Sequence, residues 1–375
     1  MLCFTIIISI LSNFSPKLLY AEQIDTDSLI MENSNYLQTN KDQYSNNNHN
    51  DGKFNIAVAA DWGCEEDTEK TAENIQSKNP EIVIAAGDLS YEKSADCWFE
   101  IIEPFMSKMK IAVGDHEYSD TNGEENGIIS QYLQPLNLPK TYYSFDRNNV
   151  HFVFIDPYID YEPGSVQYQF IEHDLRNAAS NPKIDWTFVA ESIPIYTSPS
   201  DHPADSNIRD IYHPLFDKYG VDLVFTSDNH NYQRTFPLKY NSEDDSSNNP
   251  IIADNNHNYY NYNDDNRGVI YLTTGTGGRS LYEIEQQAPF VAKQADEHFG
   301  FLNIDINDKT LIGTFYANEK EDEPRYYSVN EKEDEPRYYS VNEKEDEPRY
   351  YSVSNVNYNV IDRFTISNKV SGASS

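Results

Sequence analysis

A chain of 375 residues holds one large domain or two small ones. Hydrophobic content of 38% and a mean hydropathy of −0.72 are low for an ordinary globular protein, so polar sequence is attached to a normal core. With 28 basic against 62 acidic residues the formal net charge is −34, which argues against nucleic acid and anionic membrane as partners. A phosphate-bearing ligand approaches against that field, and local positive charge is expected to come from bound metal.

The N-terminus, residues 1–21, begins with an apolar run from Leu2 to Leu11. That run is too short to span a bilayer and fits the core of a secretory signal, although no Lys or Arg precedes it. An uncleaved anchor is the alternative. The expectation is a secreted or cell-surface protein with no membrane span after signal removal. Residues 22–53 are Asn-rich without apolar periodicity and read as a disordered linker. From Phe54 the texture changes to short apolar runs: FNIAVAA, EIVIAAG, KIAVG, VHFVFID, DWTFVA, DLVFTS and GVIYLTT. Continuous runs of this kind predict strands buried on both faces. ADCWFEIIEPFMSKM and SVQYQFIEHDLRNAA carry apolar residues at three- and four-residue spacing and predict helices between them. Alternating strands and helices give an α/β sandwich over 54–317. Within it, the polar segment 241–266 reads as a surface loop.

The unit NEKEDEPRYYSV then occurs three times without change, at 318–329, 330–341 and 342–353. It is too charged to bury a shared core and carries a proline that breaks any continuous ladder. The repeats read as an expanded hairpin insertion before a closing strand at 354–367 and a tail at 368–375. A tyrosine-bearing adhesive arm is the sharper alternative. Cys3 leaves with the signal, so Cys64 and Cys97 form an even pair for a disulfide in an oxidising compartment; two buried free thiols are the alternative.

The strand ends carry the chemistry. Asp61 follows FNIAVAA, Asp88 and Tyr91 follow EIVIAAG, Asp115 and His116 follow KIAVG, and Asp228 and His230 follow DLVFTS. One Asp after a strand is more often a helix cap; four such loops in order exceed what capping explains.

These loops resemble a known family. DWG is similar to GDxG, GDLSY matches GDxxY, and GDHE resembles GNHE. VAESIPIY resembles VxxHxP, and SDNHNYQR resembles GHxHxYxR. These are marks of calcineurin-like metallophosphoesterases, and more narrowly of purple acid phosphatases. The resemblance implies a four-layer αββα sandwich and a two-metal centre acting on a small phosphorylated substrate. Fe(III) would take Asp61, bridging Asp88, Tyr91 and His230, a hard anionic set. The second, divalent metal (Mn, Mg, Zn or Fe) would have Asp88 with Asp115, Ser192 and Asp228, where the family has Asn and two His. That oxygen-rich set suits harder divalent ions. Glu191 should point away from Ser192. His116 and, less directly, His202 are the implied catalytic imidazoles, beside a metal-activated hydroxide that attacks phosphorus in line. The altered ligands imply weak hydrolysis, or a pseudophosphatase serving as a cell-surface binding module.

Overall fold

The apolar runs pair into two sheets that face each other across one core. The structure, a computed structural model, describes residues 53–118, 128–243, 249–263, 266–318 and 359–368. The signal, nearly all of the Asn-rich linker and the repeats beyond Asn318 lie outside them. The first strands are β1 (Lys53–Ala59), β2 (Ile82–Ala85), β3 (Met109–Ile111), β4 (Tyr143–Arg147) and β5 (Val150–Phe154). There follow β6 (Trp186–Ala190), β7 (Leu223–Thr226), β8 (Tyr232–Thr235), β9 (Leu238–Lys239), β10 (Ile251–Ile252) and β11 (Tyr259–Tyr262). The last are β12 (Ile270–Thr274), β13 (Val291–Ala295), β14 (Gly300–Asn307), β15 (Thr310–Ala317) and β16 (Asn359–Asn368). The helices are α1 (Glu66–Lys78), α2 (Asp96–Ile102), α3 (Asp115–Tyr118), α4 (Ile129–Leu133), α5 (Val166–Ser180) and α6 (Ser206–Tyr219).

One seven-stranded sheet has the order β11-β16-β15-β14-β1-β2-β3, and the other β13-β8-β12-β7-β6-β5-β4. Both are mixed. Their parallel parts, β1-β2-β3 and β12-β7-β6-β5, hold the continuous apolar runs, since strands covered on both faces need no polar side. Phe54 of β1 meets Phe152 of β5 at 6.5 Å, and Tyr232 of β8 stacks on Phe315 of β15 at 4.3 Å. The buried faces of α1 and α2 join this central cluster, while α5 and α6 cover the far sheet through Ile171, Leu175, Ile208 and Tyr212. The layers are therefore helix, sheet, sheet, helix.

Two local expectations are corrected. The helix over ADCWFEIIEPFMSKM ends at Ile102 and passes into a 3-10 turn, Glu103–Lys108, because Pro104 has no N–H to continue the ladder. Segment 241–266 is more than a loop: β11 joins the first sheet parallel to β16, with Tyr260 and Tyr262 buried. Its YYNY pattern alternates, but asparagines around it hide the period. The Tyr262 hydroxyl donates to the Gly268 carbonyl at 2.8 Å, which satisfies its polar end. Among the described residues no helix is long and apolar enough to cross a membrane.

Candidate metal centre

The parallel strands of both sheets deliver their C-terminal ends to one edge. Asp61 follows β1, Asp88 and Tyr91 follow β2, and Asp115 follows β3. Ser192 follows β6, and Asp228 and His230 follow β7. The two sheets are tied there by backbone bonds such as Ala60 N–H to the Thr274 carbonyl at 2.9 Å. Asp61, Asp88, Tyr91 and Asp228 have φ of 54°, 52°, 59° and 69°. Left-handed backbone is uncommon outside glycine and unusual for a bulky Tyr, with a cost on the order of 1–3 kcal/mol per residue. Strained backbone at these four positions singles out this edge as the candidate site.

A first donor set surrounds Tyr91. Its hydroxyl lies 2.9 Å from Asp61 Oδ1 and 2.9 Å from His230 Nε2. His230 Nδ1 lies 2.7 Å from the Ser280 carbonyl, so Nδ1 donates there and Nε2 faces Tyr91 and Asp61. The His230 ring stacks on Tyr282 at 3.9 Å. The other Asp61 oxygen, Oδ2, is buried without a hydrogen-bond partner. Burial, then Asp61, Glu117, Asp115 and Asp228, push the Asp88 carboxyl well above its ordinary range. Burial, then Asp61 and Asp88, do the same to the Tyr91 hydroxyl. An orphaned carboxylate oxygen, clustered acids, a phenol and an inward-facing imidazole nitrogen fit a cation, which would reverse both shifts.

A second set lies beside it. Ligand atoms of Asp88, Asp115 and His116 fall within 4.8 Å of one another. Asp228 is lifted to about 6 by burial, against the pull of His202 and with the push of Asp61 and Asp115. Buried Ser192 places Oγ 3.3 Å from the Tyr158 hydroxyl. Both Glu191 oxygens are buried without a hydrogen-bond partner, and burial, then Asp205, holds its carboxyl well above the usual range. His116 packs on the Tyr91 ring at 4.1 Å, its buried Nδ1 has no partner, and burial lowers its pKa. His202 is 42% exposed; its Nδ1 is 3.8 Å from Asp228 Oδ1, and Asn229 holds its backbone at both N–H and carbonyl. All the residues singled out for metal or catalysis thus gather at one edge. Cys64 and Cys97 are joined, Cα to Cα 5.9 Å, linking the loop after β1 to α2.

Residues 54–232 match the family model of calcineurin-like phosphoesterases. This stretch is a calcineurin-like phosphoesterase domain. The chain is 26% identical over 263 residues to purple acid phosphatase 23 of Arabidopsis thaliana, covering 60% of this chain and 52% of that protein. It is 28% identical over 255 residues to a protein of the same plant named as probable inactive purple acid phosphatase 1, covering 62% and 40%. Both matches span about half the length of the relative or less. In fold the chain is similar to a purple acid phosphatase from yellow lupin seeds, with a TM-score of 0.63 and 20% identity over 85% of this chain and 54% of that one.

Four residues around this edge were not legible in the sequence. Glu117, the last residue of GDHE, is buried and accepts from the backbone N–H groups of Asp88, Leu89 and Gly114 at 3.1, 2.9 and 2.8 Å. It stitches the loops after β2 and β3 together, and burial lifts its pKa to about 7 despite those bonds. Tyr158 and Tyr282 carried no signal in a chain with 29 tyrosines. Arg279 corrects the expectation that local positive charge comes from metal: its guanidinium lies 4.8 Å from the centre of the Tyr91 ring.

Proposed function

We propose that this chain is an exported, metal-dependent phosphoesterase acting on small phosphomonoesters. The observation that carries this reading is the convergence of Asp61, Asp88, Tyr91 and His230, three of them in left-handed backbone, around an orphaned buried carboxylate oxygen. Asp61, Asp88, Tyr91 and His230 would hold Fe(III), because phenolate and carboxylate oxygens suit a hard trivalent ion. Asp88, Asp115, Asp228 and Ser192 would hold a divalent ion, and their oxygen-rich chemistry favours Mn²⁺ or Mg²⁺ over Zn²⁺ or Fe²⁺. When bound, the ions supply positive charge to phosphoryl oxygens and acidify an attacking water. His116, kept neutral by burial, is suited to hydrogen-bond the phosphoryl group or to hand a proton to the leaving oxygen. His202, more exposed and beside Asp228, is a second proton donor on the solvent side. Export is supported by the apolar N-terminus and by the joined Cys64 and Cys97, which belong in an oxidising compartment.

A second reading is a binding module without catalysis. The replacement of three family ligands at Asp115, Ser192 and Asp228 favours it, as does the similarity to a relative named as probably inactive. One experiment separates them. Purified protein is analysed for metal and assayed on a phosphomonoester with Mn²⁺, iron and Zn²⁺. The enzyme reading expects bound iron, a visible charge-transfer band that Tyr91→Phe abolishes, and measurable hydrolysis. Protein that takes up no metal and is inert with every ion leaves the binding module.

A further inference from the structure

The loop after β12 brings an arginine to the edge of this centre. Arg279 N–H donates to the Asp61 carbonyl at 2.9 Å, which fixes the residue beside the first donor set. Its guanidinium lies 4.8 Å from the centre of the Tyr91 ring, the ring that also packs against His116. The side chain is 34% exposed, so it stands at the rim where a ligand from solvent meets it. One nitrogen, Nη1, is engaged by Glu65 Oε1, while Glu65 Oε2 accepts from the Cys64 N–H at 2.8 Å. Glu65 is thereby anchored in the loop that the Cys64–Cys97 link braces.

We infer that Arg279 is a substrate-binding residue that takes a phosphate oxyanion at the mouth of the site, and that Glu65 competes with that oxyanion for it. The inference rests on the phosphoesterase reading and deepens it. In a chain of net charge −34, with Asp61, Asp88, Asp115 and Asp228 gathered in the site, an incoming dianion meets repulsion. A planar guanidinium offers paired N–H donors that match phosphate oxygens, which an ammonium cannot do. Its contact with the face of the Tyr91 ring helps to hold the guanidinium in place. Glu65, a rim carboxylate on a solvent-exposed pair, is displaced or shared as the phosphate binds.

The competition gives two variants opposite signs. The probe is inorganic phosphate, titrated calorimetrically into metal-loaded protein at low and high salt. Arg279→Gln should weaken binding about tenfold and flatten its salt dependence. Glu65→Gln, which keeps the hydrogen bond from Cys64 possible and removes the competing charge, should tighten binding about threefold. In hydrolysis, KM should move in the same senses more than kcat. If the pair only holds two loops together, both variants will weaken binding, and the inference fails. It fails equally if Arg279→Gln leaves phosphate affinity unchanged. Wild-type protein that loads metal but binds no phosphate overturns this inference and the phosphoesterase reading together, whereas normal binding with unresponsive variants overturns this inference alone.

Discussion

Ser192 is a small, fully buried side chain where the resemblance implies an imidazole, and the space it frees is taken by the Tyr158 hydroxyl 3.3 Å away. Burial, and then Asp88, Asp115 and Asp228, push that hydroxyl well above a phenol's usual range. Gly87 approaches from another side, where an added Cβ would come 2.7 Å from the Ser192 Cβ. Reverting the ligands is therefore a packing problem as well as a coordination one. Ser192→His with Asp228→His should lower thermal stability, because overpacking a closed site costs about 1–3 kcal/mol. Adding Tyr158→Phe, which removes the crowding oxygen, should recover most of that loss. The triple variant should also bind Zn²⁺ more tightly than wild type, through two nitrogen donors and one fewer negative charge. Thermal melts and metal stoichiometry check both; a double variant as stable as wild type contradicts the crowding.

At the scale of elements, β5 is fastened to β4 and α5 through one histidine. Buried His151 places Nδ1 2.7 Å from Asp146 Oδ1 and Nε2 2.9 Å from Asp174 Oδ2. Burial alone would lower its pKa, but Asp174 and Asp146 outweigh burial and raise it to about 9. A folded-state pKa above the unfolded value of about 6.5 stabilises the fold fully below the unfolded pKa. That contribution, on the order of 3 kcal/mol at full strength, is lost as pH rises from about 6.5 through about 9. Urea midpoints should fall across this window, and His151→Gln should flatten the profile while lowering it at pH 6. A variant whose pH profile retains the wild-type slope would assign the loss to other groups.

Across the whole molecule, the last strand is held by more than its ladder. Arg234 of β8 donates from Nε and Nη2 to the two Asp362 oxygens of β16 at 2.6 and 3.0 Å, and the Tyr232 hydroxyl joins at 2.8 Å. This buried cluster crosses from one sheet to the other. Ala317 at the end of β15 pairs with Asn359 at the start of β16, so the chain between them leaves and returns at one point. Deleting 330–353, two complete repeats, should then change stability by only about 1 kcal/mol, the loop-closure difference. The melting temperature should stay within a few degrees. A much larger fall would mean that the repeats contribute packing of their own.

The sequence by itself determined the parallel strands and the loops at their C-terminal ends that carry the candidate ligands. A strand covered on both faces must be apolar throughout, and a residue that leaves such a strand at its C-terminal end has few other places to go. Asp61, Asp88, Tyr91, Asp115 and His230 were legible for that reason. The edge strand β11 was not, because its buried face is made of tyrosines whose hydroxyls find partners only in the folded chain, such as Tyr262 with Gly268. Tertiary structure alone decided which side chains complete the site. Glu117 matters because three N–H groups from two loops converge on it, Tyr158 because Ser192 is small, and Arg279 because β12 runs beside β7 and carries its loop to Tyr91. These roles depend on distances between segments far apart in the chain, which local spacing does not encode.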